Sequence, residues 1–188
     1  PTYVVGGQVL SVGRSSNLGE GSYMIVEADE SDGSFLHLQP EIAVITNIDN
    51  DHLVFYDLNQ DNLNQAFISF AENLPFYGHL IITLDDSNIY KIAKHIHRKK
   101  ITFGFSSRNQ FQIINVALSK GVQNFQLLDT NTKKLYSFST SLSGKHNIYN
   151  LCAAICVALG ENISISDIKK GLKNFKGVGR RFETGQIS

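Results

Sequence analysis

Four carboxylates fall within six residues in the stretch Glu27-Ala-Asp-Glu-Ser-Asp32. Like charges set so close repel one another unless a cation or water lies between them. Hard carboxylate oxygens suit magnesium, so the stretch is a candidate Mg2+ site. It suits a solvated acidic turn as well, and composition leaves both readings open. A second stretch, Thr46-Asn-Ile-Asp-Asn-Asp-His52, ends in a histidine preceded by acids. Such a histidine can ligate a metal, act as a base, or belong to a loop that caps the next segment. In a third, Gly144-Lys-His-Asn-Ile-Tyr-Asn150, Asn147 and Asn150 stand three apart and share a face of a helical turn. An asparagine amide can pair bidentately with an adenine edge; helix capping by Asn147 is the alternative. Its Gly-Lys pair does not complete a phosphate loop, because His146 stands where Ser or Thr is needed and the upstream glycine is missing. The fourth, Gly179-Arg-Arg-Phe-Glu183, sets two guanidinium groups beside glycines, which suits phosphate oxygens or an exposed basic tail.

The elements around these residues follow from period and punctuation. Residues 22–28 and 42–48 are short apolar runs ending in polar residues, the pattern of buried parallel strands that carry a site at their carboxyl ends. Asp61 to Leu74 reads as a helix, with Leu63, Ala66, Phe67, Phe70 and Leu74 on one stripe, Asp61 as N-cap and Pro75 beyond its end. Leu80–Leu84 is a strand, Ser87–Arg98 a helix and Ile101–Phe105 a strand, an alternation that predicts an α/β fold with a mainly parallel sheet flanked by helices. Residues 110–140 change period and predict a small antiparallel meander or side sheet. Helices are predicted again at Asn147–Leu159 and Ser166–Phe175, the second capped by Ser166. The stretch from Lys176 is glycine-rich and basic, as a linker or hinge would be.

Composition narrows the field. Seventeen basic residues balance seventeen acidic ones among 188, which argues against a nucleic-acid partner bound through a general basic surface. No apolar run reaches the length of a membrane span, so no membrane partner is expected. Cys152 and Cys156, four apart in an apolar run, read as core residues on one helix face. Two cysteines and no signal peptide fit a cytoplasmic location. The chain opens Pro-Thr-Tyr without an initiator Met, so its start is expected to be an internal cut or a processed end.

Taken in order, these motifs resemble those of the Mur ligase family. Residues Glu27 to Pro40 are similar to the acidic-strand motif of its alanine-adding members. Thr46 to His52 resembles the metal-loop motif, and Asn73-Leu-Pro-Phe-Tyr-Gly78 resembles a segment of the alanine-adding members. Gly144 to Asn150 is similar to the nucleotide motif Gly-Arg-His-Asn-x-x-Asn, and Gly179 to Glu183 to the arginine motif leading out of the central domain. The resemblance implies a central ATP-binding domain of the P-loop NTPase type over residues 1–178, with 179–188 starting a linker. It implies ATP and Mg2+ as cofactors, with UDP-N-acetylmuramate and L-alanine as substrates joined through an acyl phosphate.

The residue roles also come from the resemblance. Glu27 would ligate a magnesium between the ATP phosphates, and His52 a second one near the acyl carboxylate. Asn147 and Asn150 would hold adenine, supported by Lys145 and His146. Arg181 would reach the γ-phosphate, and Ser31, Asp32 and Asn47 are candidate substrate contacts. Some positions depart from the family pattern. Val54 stands where an Asp is usual, Lys145 replaces the commoner Arg, and the Asp61–Leu74 helix has no lysine for the carbamylated position of sister ligases. The family's phosphate loop is expected upstream of Pro1, so this chain alone is expected to bind ATP weakly and not to turn over. Folylpolyglutamate synthases share the His and Asn motifs, and a non-catalytic nucleotide-binding module is a further alternative.

Overall fold

The run Ile-Ala-Val-Ile forms β4 (Ile42–Ile45), the first strand of a six-stranded sheet. The computed structural model describes residues 1–49 and 53–179. The sheet order is β4-β5-β6-β7-β8-β9, with β5 at His79–Thr83, β6 at Lys99–Gly104, β7 at Phe111–Ser119, β8 at Val122–Asp129 and β9 at Leu135–Thr140. Strands β4 to β7 pair in parallel and β7 to β9 antiparallel. The predicted mainly parallel α/β sheet is thus observed. The predicted antiparallel strands are present as the meander β7-β8-β9, which continues the same sheet rather than forming a side sheet. Residues 105–110 loop tightly from β6 to β7, which meet over only two pairs, Phe103↔Phe111 and Gly104↔Gln112.

Alternation along β5 splits the core between the two faces of the sheet. Leu80 and Ile82 pack with Ala43 and Ile45 beneath α1 (Gln60–Glu72) and α2 (Ser87–Ala93). Ile81 points the other way and joins Phe103, Ile113, Phe125 and Leu127 beneath α3 (Lys145–Gly160) and α4 (Ile165–Asn174). The α1 stripe of Leu63, Ala66, Phe67 and Phe70 is buried as its period requires. Leu74 is buried just past the helix end.

Several boundaries differ for local reasons. Asn59, not Asp61, caps α1, its side chain accepting from Asp61 N at 2.8 Å. Asp86 caps α2, which ends at Ala93 rather than Arg98. Arg98 instead turns its guanidinium onto the Glu72 and Leu74 carbonyls, both at 2.7 Å, and onto the Glu72 carboxylate at 2.6 Å. These contacts satisfy carbonyls at the end of α1 that have no partner within the helix. Ser164 rather than Ser166 caps α4. Gly144, not Asn147, stands at the N-cap of α3, with φ +103°; a Cβ there would meet the His146 ring at 3.0 Å.

A second, small sheet lies outside the predicted pattern. β1 (Thr2–Val9) pairs antiparallel with β2 (Arg14–Asn17), parallel with β3 (Met24–Val26) and antiparallel with β10 (Val178–Gly179). The apolar run at 22–28 was expected to be a buried strand of the main sheet. It is parallel but exposed on all three residues, because β1 is its only strand partner among the described residues. Cys152 and Cys156 are buried free thiols, as read from their spacing.

Candidate functional site

The exits of β4 and β5 lie side by side, since Ile45 pairs with Ile82, and the first turns of α3 reach the same edge. A cleft of about 400 Å3 opens there, lined by Thr46, Asn47 and Asp49 after β4, by Thr83, Asp85 and Asp86 at the end of β5, and by His146, Tyr149 and Asn150 of α3. A smaller cleft of about 220 Å3 shares Thr46, Asn47 and Asp49 and adds Ala28 and Glu30 from beyond β3. The polar residues after β3 and β4 therefore converge, as their common position after apolar strands predicts, although the strands belong to different sheets.

Hydrogen bonds fix the walls. Asn88 Nδ2 donates to the Ile48 carbonyl at 2.8 Å, tying α2 to the exit of β4. Buried Thr83 accepts from Asp85 N at 3.2 Å. The Asp85 carboxylate accepts from Phe105 N, Ser106 N, Asn109 Nδ2 and the Tyr149 hydroxyl. Burial alone would push its pKa up. The hydrogen bonds from Tyr149, Phe105, Ser106 and Asn109 outweigh burial and hold the carboxyl below the usual carboxylate range. Asn109 is fully buried, and its Oδ1 accepts from Leu84 N at 3.0 Å. This close approach requires Gly104, where a Cβ would lie 2.6 Å from Asp85 Oδ2.

The residues expected from the sequence separate into three groups. Asn47, His146 and Asn150 line the larger cleft, and all three are exposed. The residues of a second group are not among those lining either cleft. Asn147 donates to the Ser143 carbonyl at 2.7 Å. Lys145 sets its ammonium over the rings of Phe105 and Tyr149, 5.2 and 5.9 Å from their centroids. The Glu27 carboxylate accepts from Gly6 N. Ser31 N donates to Asp29 at 2.9 Å. Asp32 accepts from Ser34 N at the start of the 3-10 helix Ser34–His37, and the Ser34 hydroxyl, with this N–H second, lowers its pKa. The third group, His52 and Arg181, lies outside the described residues, and with it the expected approach of Glu27 to His52. Sequence reasoning did not single out Asp85, Tyr149 or Asn109. Asp85 and Asp86 follow an apolar run, the same signal that drew attention to Glu27 and Asp49.

The donors around the two clefts, the carboxylates of Glu30 and Asp49 with amide and hydroxyl oxygens beside them, are hard oxygen ligands that suit magnesium. Among the described residues no group of three His, Cys, Asp or Glu could hold a metal by itself. Magnesium commonly takes one or two carboxylates and completes its shell with substrate phosphates and water, so the donor set fits an ion brought with a nucleotide.

Residues 15–158 match the model of the Mur ligase middle domain, and the chain belongs to the Mur ligase family. It is 46% identical over 183 residues to the UDP-N-acetylmuramate–L-alanine ligase of Ruthia magnifica subsp. Calyptogena magnifica, covering 97% of this chain and 39% of that protein. The chain therefore spans about two fifths of the length of that curated relative. The fold is shared with the crystal structure of UDP-N-acetylmuramate-alanine ligase from Thermotoga maritima, with a TM-score of 0.81 and 23% identity over 97% of this chain and 40% of that one. It is also shared with the MurF ligase of Thermotoga maritima solved in complex with ADP, with a TM-score of 0.65 and 19% identity over 78% of this chain and 35% of that one.

Proposed function

We propose that this chain is the central, nucleotide-binding part of a cytoplasmic ATP-dependent ligase that joins L-alanine to UDP-N-acetylmuramate in peptidoglycan synthesis. The observation that carries the reading is the cleft where the exits of β4 and β5 meet the first turns of α3, in a chain of the Mur ligase family. His146 and Asn150 would orient the nucleotide base, with Asn147 and Lys145 holding the turn that carries them. Magnesium, when bound with the nucleotide, would neutralise phosphate charge, with Glu27, Glu30, Asp49 and His52 as its candidate ligands.

In the proposed reaction a muramate carboxylate oxygen attacks the γ-phosphorus. A C–O–P linkage forms as the bond to ADP breaks. The alanine nitrogen then attacks the acyl carbon, a C–N bond forms, phosphate leaves with the C–O bonding pair, and the amine loses a proton. Arg181 would stabilise the charge on the transferred group. Catalysis of this kind rests on positioning and charge neutralisation.

Trapping tests the reading. Full-length enzyme given UDP-N-acetylmuramate, Mg-ATP and hydroxylamine without alanine is expected to release ADP and form the muramate hydroxamate. Asn150→Ala is expected to raise KM for ATP about tenfold, the scale of one lost bidentate contact. Nucleotide binding with neither hydroxamate nor ADP formed would favour a non-catalytic module.

A further inference from the structure

Asp85 lines the cleft, yet its carboxylate is already fully engaged. Oδ1 accepts from Asn109 Nδ2 at 2.9 Å and Ser106 N at 3.1 Å, while Oδ2 accepts from Phe105 N at 2.5 Å and the Tyr149 hydroxyl at 2.7 Å. A carboxylate has about four acceptor sites, so none is left for a ligand amine. Three of the donors belong to the 105–109 loop, which buried Asn109 ties to β5 through Leu84 N and to itself through the Ser106 carbonyl. The fourth, Tyr149, belongs to α3.

We infer that Asp85 and Tyr149 form a positioning pair: the fixed carboxylate holds the Tyr149 hydroxyl and thereby sets where the neighbouring Asn150 stands in the cleft. The inference rests on the reading of this cleft as the nucleotide site. Three observations support it. Tyr149 is half-buried and its ring packs edge-on against Phe105, with centroids 5.4 Å apart. The Lys145 ammonium covers both rings, so the ring is held on its face and at its hydroxyl. With no side-chain cap at Gly144, the first turns of α3 are fastened by Asn147 on the Ser143 carbonyl and by Tyr149 on Asp85.

Tyr149→Phe removes the hydroxyl and keeps the ring contacts. In full-length enzyme it is expected to raise KM for Mg-ATP about five- to tenfold, no more than the loss of Asn150 itself, through which the hydroxyl acts. It should leave kcat within twofold and KM for UDP-N-acetylmuramate unchanged. Asp85→Asn, which replaces one acceptor oxygen by a donor, should raise KM for Mg-ATP at least as much. If Asp85→Asn does not fold, the milder Tyr149→Phe carries the test alone. In an Asn150→Ala background the effect of Tyr149→Phe should vanish, because the hydroxyl acts through Asn150. An unchanged KM for Mg-ATP in Tyr149→Phe overturns the pair. An equal rise in both backgrounds, or kcat and every KM drifting together with a lowered Tm, overturns it too. If Asn150→Ala alone leaves KM for ATP unmoved, the nucleotide reading of the cleft fails and the pair falls with it. If Asn150→Ala raises KM and Tyr149→Phe does not, the nucleotide reading stands and only the pair is refuted.

Discussion

Gly104→Ala probes the packing behind the cleft. The added methyl would lie 2.6 Å from Asp85 Oδ2 and 2.7 Å from both Asp85 Cγ and Asn109 Nδ2. Neither neighbour is the loose end of a flexible chain: Asp85 is held by four donors and Asn109 is fully buried. The backbone sits at φ +154°, outside the usual range of an L-residue. Overpacking of this kind costs about 1–3 kcal/mol, and loss of one hydrogen bond to the carboxylate about 1.5–3 kcal/mol. A total of ~3 kcal/mol lowers Tm by about 6–12 °C at ~2–4 °C per kcal/mol for a chain of this size. Gly160→Ala is the control. It closes α3, and its nearest neighbour would be Ile101 Cδ1 at an ordinary 3.7 Å, so stability should hold or rise slightly. Thermal and urea unfolding followed by circular dichroism measure both variants. A Gly104→Ala midpoint equal to that of Gly160→Ala would refute the claim that Gly104 is required by the approach of Asp85.

Three further outcomes are expected. Burial and the Asp85 carboxylate push the Tyr149 pKa up; the folded state keeps the proton that the unfolded chain loses above about pH 10. Its stabilisation is therefore intact below that pH and is lost as pH rises towards the folded value. Tyr149→Phe should flatten the alkaline fall of the urea midpoint, and an unchanged slope would reject this. Burial pushes both thiols up, Cys156 to about 12, so a thiol-specific disulfide reagent near pH 8 should titrate neither until denaturant is added; prompt reaction would mean that α3 opens readily. Arg98→Ala should destabilise by about 1–3 kcal/mol, since two carbonyls lose a charged donor. Arg98→Lys should recover little, because an ammonium lacks the fork, and full recovery would show that charge alone matters.

Where the sequence carried a strong period, the fold was readable. The α1 stripe and the apolar runs of β4 and β5 left little choice of element, although β4 is the edge strand and leaves Val44 exposed rather than buried as expected. Caps were less legible, because Asn59 and Asp61, like Ser164 and Ser166, are equally good capping types two residues apart, and tertiary contacts select between them. β1, β2 and β10 escaped notice because none of them carries a run of buried apolar residues: β2 is exposed throughout, and in β1 only Gly7 is buried. The joining of β7 to the main sheet was hidden as well, since it depends on two residue pairs across a tight loop. In the cleft, Asn150 was singled out by its spacing from Asn147, while His146 and Asn47 came from the family resemblance. Asp85 and Tyr149 were reached by neither, because their importance lies in a hydrogen bond between residues 64 positions apart.

The pairing of β1 with β10 bears on the order in which the molecule comes apart. Among the described residues Gln8↔Gly179 and Val9↔Val178 are in register, with Leu10 N donating to the Gly177 carbonyl beside them. A clasp that joins segments so far apart in the chain closes late and opens early. β5, with neighbours on both edges and Leu80, Ile81 and Ile82 all but inaccessible to solvent, should instead open only with the whole molecule. Native-state hydrogen exchange would then find two levels of opening free energy. The Leu10 amide would exchange through a small local event, and the amides of residues 80–82 through global unfolding alone, making the small sheet a separately cooperative unit hung on a slower-exchanging one.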